Sequence, residues 1–317
     1  MTFALGTNVE APTQGERRDP LAFVYQRAAE AALRVAAKQE QEAAAPRQLF
    51  LPGLDELMRA MPNHIARSSL FAPVGKGKKP LHQNASLVSR ADALITYSGE
   101  QLDEAQADVW MQAMHEASKA PLGVPVPINR KAFLLAIGRH FGRSDYRWLD
   151  RSMRALSRAE IIIQVRTGDR VKLEFGTTPA SRPLRMIDGF EPDPVSSNYT
   201  LRIDPRWRAM YGNQEWAMID WTKRLQFARG QDMAKALQRL VSTSNEETQR
   251  HQLAWLKSKL GYTSPMCKFK VSLSAAMDEL ERLKIVAGGR LERSTKGKEQ
   301  VVWSKLSHRD SLPLPSG

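Results

Sequence analysis

One order of sequence patterns occurs twice along this chain and restricts its fold more than any other feature. Residues 103–177 show, in order, a helix, an extended segment, two helices separated by a turn, and a β-hairpin. Helix and strand patterns follow a similar order between residues 216 and 306, without close sequence repetition. This is the order of a winged helix-turn-helix domain. The sequence therefore predicts an α+β fold with two winged helix-turn-helix domains in tandem, preceded by a flexible N-terminal extension.

Turn signals and composition set the predicted boundaries. An Ala-rich helix is predicted between Pro20 and Pro46, and the proline-rich stretch after it has the composition of a linker. The predicted parts are an N-terminal extension and linker (1–93, with the helix at about 20–45), the first winged-helix domain (94–215), the second (216–306) and a disordered tail (307–317).

Capping residues and a turn dipeptide mark the elements of the first domain. Asp103 and Asn129 are placed to cap helices that run to about residues 119 and 140. Ser144 is placed to cap a third helix, which ends near residue 159. Gly168-Asp169 joins two strand-like runs and predicts a tight hairpin.

The third of these helices is amphipathic in a way that suits DNA. At about 100° per residue, its four arginines fall within about 60° of one another and three apolar residues lie opposite. The arginines are Arg147, Arg151, Arg154 and Arg158, and the apolar residues are Leu149, Met153 and Leu156. A guanidinium can bind guanine through two hydrogen bonds and can also hold phosphate. A helix face that is merely solvated is the alternative interpretation.

Basic residues beside this helix favour the DNA interpretation. Arg143 and Ser144 lie at its start, and the hairpin that follows contributes Arg166, Arg170 and Lys172. Residues 130–172 hold 11 basic and 4 acidic side chains. We therefore predict that the helix enters a major groove and that the hairpin lies near the DNA backbone.

A second set of candidate DNA-binding residues lies in the C-terminal domain. A helix over about 265–284 has an apolar face that contains Phe269 and Leu273. The candidates around its N-terminal end, the preceding helix and turn, and the following hairpin are Lys257, Lys259, Thr263, Ser264, Lys268, Lys270, Arg293, Lys296 and Lys298. A basic surface that only confers solubility is the alternative.

The charge of the chain indicates the kind of partner. It has 47 basic and 34 acidic residues, a formal net charge of +13. Residues 221–317 hold 18 basic and 9 acidic side chains, a net charge of +9, so there are two basic regions rather than one basic tail. A surplus of this size favours a polyanionic partner, with nucleic acid ahead of an anionic membrane.

Several classes of protein are disfavoured by what the sequence lacks. Cys267 is the sole cysteine and the six histidines are scattered, which argues against a disulfide or a metal site. There is no P-loop and no catalytic constellation, so we predict no enzyme activity and no cofactor. The acidic residues Asp103, Glu104 and Asp108 lie at a helix start, where the helix dipole accounts for them. With no apolar run of membrane-spanning length and no signal-peptide pattern, we expect a cytoplasmic protein.

Several short motifs resemble those of the TrfA family of plasmid replication initiators. They are Met61-Pro62-Asn63 with Ala66-Arg67-Ser68-Ser69-Leu70-Phe71, Ile95-Thr96-Tyr97-Ser98-Gly99, Asp108-Val109-Trp110, Pro121-Leu122-Gly123 and Trp148-Leu149. The resemblance extends over most of residues 58–306, and residues 1–45 lie outside it.

The resemblance implies an initiator that binds directly repeated origin sites (iterons) in double-stranded DNA and takes part in plasmid copy control. It implies opening of a nearby A·T-rich region, with single-stranded DNA as a further ligand. The host DnaB helicase, DnaA and the sliding clamp are the implied protein partners. The implied active form is a monomer, and a dimer is inactive.

Family members also carry a clamp-binding pentapeptide just upstream of the Met-Pro-Asn string. Here Gln48, Leu49, Phe50 and Leu51 occupy that place, and Pro52 stands where the final aromatic residue would be. The match is therefore incomplete, and an apolar patch at the start of a loop is the alternative for residues 48–52.

The sequence thus predicts a non-enzymatic DNA-binding initiator. A winged-helix transcriptional repressor of a plasmid promoter is the first alternative, because it would use the same surface. A nuclease or relaxase is the alternative from another class, and the missing catalytic motifs disfavour it.

Overall fold

The computed structural model describes residues 57–73, 77, 79–121, 123–178, 181–193, 198–211 and 215–306. These residues form a mixed α+β structure within one compact unit, Leu49–Gly317. Three predicted features lie outside the described residues: the helix at 20–45, the clamp-binding segment at 48–52 and the tail at 307–317.

The N-terminal part of the described chain contains most of the strands. In chain order its elements are β1 (Met58–Pro62), α1 (Asn63–Ala66), β2 (Phe71–Ala72), β3 (Leu81–Ser86), β4 (Ala93–Glu100), β5 (Leu102–Asp103), α2 (Glu104–Ala117), β6 (Val126–Asn129), α3 (Arg130–Ala136), α4 (Arg143–Arg158), β7 (Glu160–Thr167), β8 (Arg170–Phe175), β9 (Leu184–Arg185), β10 (Gly189–Pro192), β11 (Asn198–Arg202), α5 (Trp207–Met210), β12 (Trp216–Asp220) and α6 (Trp221–Arg224).

The C-terminal part is shorter and more regular. Its elements are α7 (Asp232–Ser242), β13 (Thr248–Gln252), α8 (Leu253–Lys259), α9 (Met266–Arg282), β14 (Val286–Arg293) and β15 (Glu299–Lys305).

The described strands of the C-terminal part pair only with one another, and those of the N-terminal part do the same. The largest sheet has the order β3-β4-β7-β8, with β9 also paired to β7, and Ile95 of β4 lies opposite Ile163 of β7. Smaller pairings join β1 to β12, β2 to β5, and β11 to both β6 and β10. The C-terminal sheet has the order β13-β15-β14, with Gln249 opposite Trp303.

Two hydrophobic cores lie beneath these sheets. The first takes its residues from Ala60 to Trp221, and Trp110 packs in it against Trp207 with ring centroids 5.0 Å apart. The second runs from Phe227 to Trp303. The predicted boundary between residues 215 and 216 is displaced, because β12 pairs with β1 and Trp221 belongs to the first core.

The predicted linker before residue 94 is wrong from Met58 onward, because β1, α1, β2 and β3 lie there. Met61, Ile65 and Phe71 are fully buried, and β1 pairs with β12 over its whole length. Pro62, one of the prolines that suggested a linker, instead ends β1 and immediately precedes α1.

Local capping explains where two of the helices begin. Asp103 accepts a hydrogen bond from the backbone N–H of Gln106 (2.8 Å) and starts α2, as predicted. Asn129 accepts one from the N–H of Ala132 (3.0 Å) and starts α3, also as predicted. Ser144 does not cap α4, because Gly142 occupies the capping position and Ser144 lies within the first turn.

A buried ionic network connects the two cores. Arg224 of α6 donates to Glu104 (2.9 Å) and Asp108 (2.5 Å) of α2, and Lys235 of α7 donates to Asp108 (2.6 Å). Arg239 of α7 pairs with Glu104. The helix-dipole explanation of these acidic residues is therefore wrong for Glu104 and Asp108, which bind cations from distant parts of the chain.

Charge pairing outweighs burial in this network. Burial alone would raise the pKa of Glu104, but Arg239 and Arg224 hold that pKa below its usual value. Burial opposes ionisation of Asp108 in the same way, and Arg224 and Lys235 hold its pKa below its usual value. All members of the network therefore stay charged. Each buried charge is stabilised by its oppositely charged partners instead of by water.

Candidate nucleic-acid interface

The two faces of α4 are separated as the sequence predicted. Leu149, Met153 and Leu156 are fully buried in the first core. Asp145 lies in the first turn, where a negative charge stabilises the helix N-terminus. Burial of one face fixes the rotation of α4, and its other face is held towards solvent.

The four arginines of the predicted stripe all lie on this exposed face. Arg154 forms an ion pair with Asp150 (2.9 Å), four residues earlier on the helix, and lies 5.7 Å above the Phe190 ring. Arg147, Arg151 and Arg158 form no ion pair with any residue that the structure describes. Three guanidinium groups on one helix face are thus available to an anionic ligand.

Aromatic rings position further cations beside α4, and these cations were not among the residues predicted from the sequence. Arg130 lies 5.0 Å from the ring of Tyr146. Lys131 lies 4.4 Å from the Phe141 ring, and Arg139 lies 3.6 Å from that of Trp148. Cation–π contacts restrict a flexible cation without neutralising its charge. The aromatic residues among the arginines of 139–151 were the signal that could have indicated them.

Arg139 is held most firmly of the three. Besides Trp148, it faces Asp145 at 3.7 Å, and burial lowers the pKa of its guanidinium. An arginine stays protonated at neutral pH despite such a shift. Its Nε is buried without a hydrogen-bond partner in the described part of the chain, so its charge is only partly compensated.

The start of α4 and the hairpin β7–β8 contribute the remaining predicted residues of the first site. Arg143 and Ser144 are exposed in the first turn of α4. Arg166 and Arg170 are exposed on either side of the hairpin tip, where Gly168 adopts a φ of 57°. Lys172 instead forms an ion pair with Glu215, which reduces what it can offer to a ligand.

The second predicted site, around α9 and the β14–β15 hairpin, has fewer exposed and unpaired cations on its helix than the first site has on α4. Lys268 on α9 and Thr263 in the turn before it are exposed, and Ser264 is half-buried. Lys270 is half-buried and paired with Glu299 of β15 (2.5 Å). Arg293, Lys296 and Lys298 are exposed around the tip of the β14–β15 hairpin, and Lys257 is half-buried on α8.

Lys259 was wrongly predicted to contact DNA. Its side chain is 0% exposed and its Nζ donates to the backbone carbonyl of Ser68 (3.4 Å). Burial, together with the nearby charge of Arg239, lowers its pKa to about 7. Lys259 belongs to the contact between α8 and the segment after α1, so no ligand on the surface can reach it.

No group of histidine, cysteine or carboxylate side chains within the described ranges is arranged to hold a metal ion. No helix in the same ranges is long and apolar enough to span a bilayer. The arrangement at α4 and its hairpin is an exposed row of cations above a buried core, which is the class of surface that binds a polyanion.

The chain belongs to the TrfA family. The family model described as TrfA protein matches residues 17–230. The match begins and ends earlier than the resemblance in the sequence suggested, and it includes α4 and both strands of its hairpin.

A plasmid replication initiator protein TrfA from Escherichia coli is 29% identical to this chain over 119 residues. The aligned stretch covers 37% of this chain and 30% of that protein, so less than a third of the relative's length is matched.

The chain is also similar to two solved structures. A crystal structure of RctB domains 2–3 has a TM-score of 0.43 and 9% sequence identity, and covers 78% of this chain and 98% of its own. A structure of selenomethionine derivatives of RctB domains 2 and 3 has a TM-score of 0.41 and 11% identity, and covers 83% and 94%.

Proposed function

We propose that this protein is a plasmid replication initiator that binds repeated origin sites in double-stranded DNA. The exposed arginine face of α4, in a chain of the TrfA family, is the observation that carries the proposal. Arg147 and Arg151 would meet base edges, because the N-terminal half of such a helix usually reaches into the major groove. The hairpin β7–β8 would contact the backbone through Arg166 and Arg170.

We infer that each core is a winged helix-turn-helix domain. Around the second core, α7, β13, α8, α9, β14 and β15 follow the expected order, and the sheet order β13-β15-β14 supports the inference. Around the first core, α2, β6, α3, α4, β7 and β8 follow the same order, although β6 pairs with β11 rather than with the hairpin. Two linked DNA-binding domains would lengthen the recognised DNA site without dimerisation.

The remaining parts of the proposal follow from the family resemblance. The protein would open an A·T-rich region, also bind single-stranded DNA, and recruit the host DnaB helicase with DnaA. It would act in the cytoplasm as a monomer without catalytic activity, and dimerisation would inactivate it and contribute to copy control.

Plasmid replication in a host cell tests this function directly. A plasmid with its origin but without its own initiator gene should replicate when this chain is supplied. Failure to replicate, combined with specific duplex binding, would favour the repressor alternative. Strand cleavage of the origin DNA by the purified protein would favour the nuclease or relaxase alternative.

The sliding clamp is a further proposed partner, through residues 48–52. A few apolar anchors carry most of the energy in such a contact, so Leu49→Ala with Phe50→Ala should abolish clamp binding and leave duplex binding intact. Clamp affinity that is unchanged in this double variant would reject the segment as a clamp ligand.

A further inference from the structure

A cleft of about 710 Å³ lies where the segment around α1 and the β3–β4 loop approach β13 and α8, and no residue of α4 lines it. Three arginines line it: Arg67, Arg90 and Arg250. Its volume falls within the range of small-molecule sites in proteins. Two carboxylates, Asp92 and Glu246, also line it, so the lining keeps one excess positive charge.

The three arginines are not equivalent. Arg90 donates two hydrogen bonds to Asp92 (2.9 and 2.7 Å), so its charge is compensated. The guanidinium of Arg67 is half-buried, and it makes no hydrogen bond or ion pair with any residue in the described ranges. Burial and the charge of Arg90 lower the pKa of Arg67, and the opposing charges of Glu246 and Asp92 do not offset this shift; an arginine nevertheless remains charged. A partly desolvated fork of N–H donors without an acceptor is complementary to an oxyanion such as phosphate.

An aromatic wall lies beside this cation. Trp255 of α8 is half-buried and lines the cleft, and the His251 ring stacks on it at 5.5 Å with an interplanar angle of 20°. His251 also packs 5.2 Å from Trp303, which fixes the stack to the second core. Burial, with Arg67 and Lys259 nearby, lowers the pKa of His251 to about 4. His251 is therefore neutral, and its buried Nε2 has no partner in the described part of the chain.

We propose that this cleft binds a nucleotide, with the phosphate on Arg67 and the base against Trp255. A phosphate alone would use only the cation, and an apolar ligand would leave Arg67 unpaired, so a nucleotide is the chemistry that uses both features. The nucleotide is either free in solution or an unpaired unit of a DNA strand. The site goes beyond the proposed duplex recognition, because no residue of the α4 face takes part in it.

Calorimetry on the full chain, freed of nucleic acid, tests the proposal with three probes: inorganic phosphate, AMP and an eight-residue oligothymidylate. AMP should bind more tightly than inorganic phosphate. Arg67→Gln should weaken AMP binding by about tenfold or more, which is the scale of a lost charge-assisted hydrogen bond. Trp255→Ala should weaken AMP binding and leave phosphate binding unchanged. Arg208→Gln removes an exposed arginine of α5 outside the cleft and should have no effect.

The outcomes distinguish a free nucleotide from a nucleotide within a strand, and they distinguish the cleft proposal from the proposed initiator function. If the oligonucleotide binds in an Arg67-dependent way and AMP does not, the site takes a nucleotide within a strand. If no probe binds, or if Arg67→Gln and Trp255→Ala bind AMP like the parent, the proposal is wrong. Thermal melting and the milder Arg67→Lys variant exclude misfolding as the cause of a loss. Duplex origin binding should survive Arg67→Gln, so failure of the cleft and failure of the initiator function are distinguishable.

Discussion

At the scale of single residues, the four arginines of the stripe on α4 differ in their ion pairing. Arg154 shares its charge with Asp150, whereas Arg147, Arg151 and Arg158 have no ion-pair partner within the described ranges. An exposed pair of this kind is worth little to stability, but it lowers the charge available to DNA. The four side chains should therefore contribute unequally to binding.

We expect substitutions in the arginine stripe to weaken DNA binding in two different ways. Arg147→Ala or Arg151→Ala should cost about 1–3 kcal/mol on the specific site and relax base preference at one position. Arg158→Ala should weaken specific and nonspecific duplexes alike and reduce the salt slope by about one. Arg154→Ala should reduce the slope by less, because Asp150 already compensates part of its charge.

Salt titrations with origin-repeat and scrambled duplexes measure both quantities for each variant. Arg208→Ala, on α5 and away from the stripe, is the matched control. If all four stripe variants bind both duplexes like the parent, the face is only solvated. The helix that enters the major groove must then be another one.

Lys259 should make stability depend on pH in an identifiable way. Its pKa is lowered to about 7 in the folded protein, against an ordinary value near 10.5. Between these values the unfolded chain binds a proton that the folded chain does not, so stability should rise with pH above about 7, by at most about 1.4 kcal/mol per unit. Below pH 7 both states are protonated, and the full cost of burying the charge remains.

Urea unfolding at several pH values between 7 and 9, compared between the parent and Lys259→Met, isolates this contribution. The variant should lose the rise with pH and should be more stable at pH 7, since no charge is then buried. An identical rise in both proteins would assign the pH dependence to other groups.

At the scale of elements, the ion network should hold α2 against α6 and α7. Removal of one member leaves its partners charged and buried, which typically costs about 3–5 kcal/mol. Glu104→Gln and Arg239→Met should each destabilise the protein by about that much. Asp150→Asn is the control, because it breaks an exposed ion pair and should change stability by about 0.5 kcal/mol or less.

Urea unfolding of the two single variants and of the double variant checks this coupling. Glu104 and Arg239 are in direct contact, so the double variant should lose less than the sum of the two single losses. Strict additivity would mean that the two side chains contribute independently and that the network does not act as a unit.

The elements that depend on local signals were predictable from the sequence. Asp103 and Asn129 cap α2 and α3 as expected, and Gly168 turns the β7–β8 hairpin. The burial of Leu149, Met153 and Leu156 followed from helical periodicity alone. Such features are set by a few neighbouring residues, so a single sequence contains them.

Features that depend on distant partners were not predictable in this way. β1 pairs with β12 across more than 150 residues of chain, and nothing near Met58–Pro62 indicates that partner. Lys259 resembled an exposed lysine in sequence, but in the fold it is buried and donates to the carbonyl of Ser68, 191 residues away. Likewise, nothing in the sequence near Glu104 indicated its ion pairs with Arg224 and Arg239.

At the scale of the whole molecule, two cores carry separate basic surfaces and are joined by a buried network of charges. If both cores bind one duplex, the network makes them act together rather than as two modules on a flexible tether. DNA would then have to adapt to the spacing of the two surfaces. Bending or untwisting is least costly at pyrimidine–purine and A·T-rich steps.

We therefore expect this protein to expose unpaired bases beside its repeats in supercoiled origin DNA. Permanganate footprinting should reveal reactive thymines in the adjacent A·T-rich region when the protein is bound. Arg239→Met should preserve binding by each surface but reduce this reactivity, because the loss of its ion pair with Glu104 weakens the contact between the two cores. Circular dichroism and melting would establish that the variant is folded. A footprint on the repeats without reactive thymines, even with host factors added, would contradict origin opening and would favour the repressor.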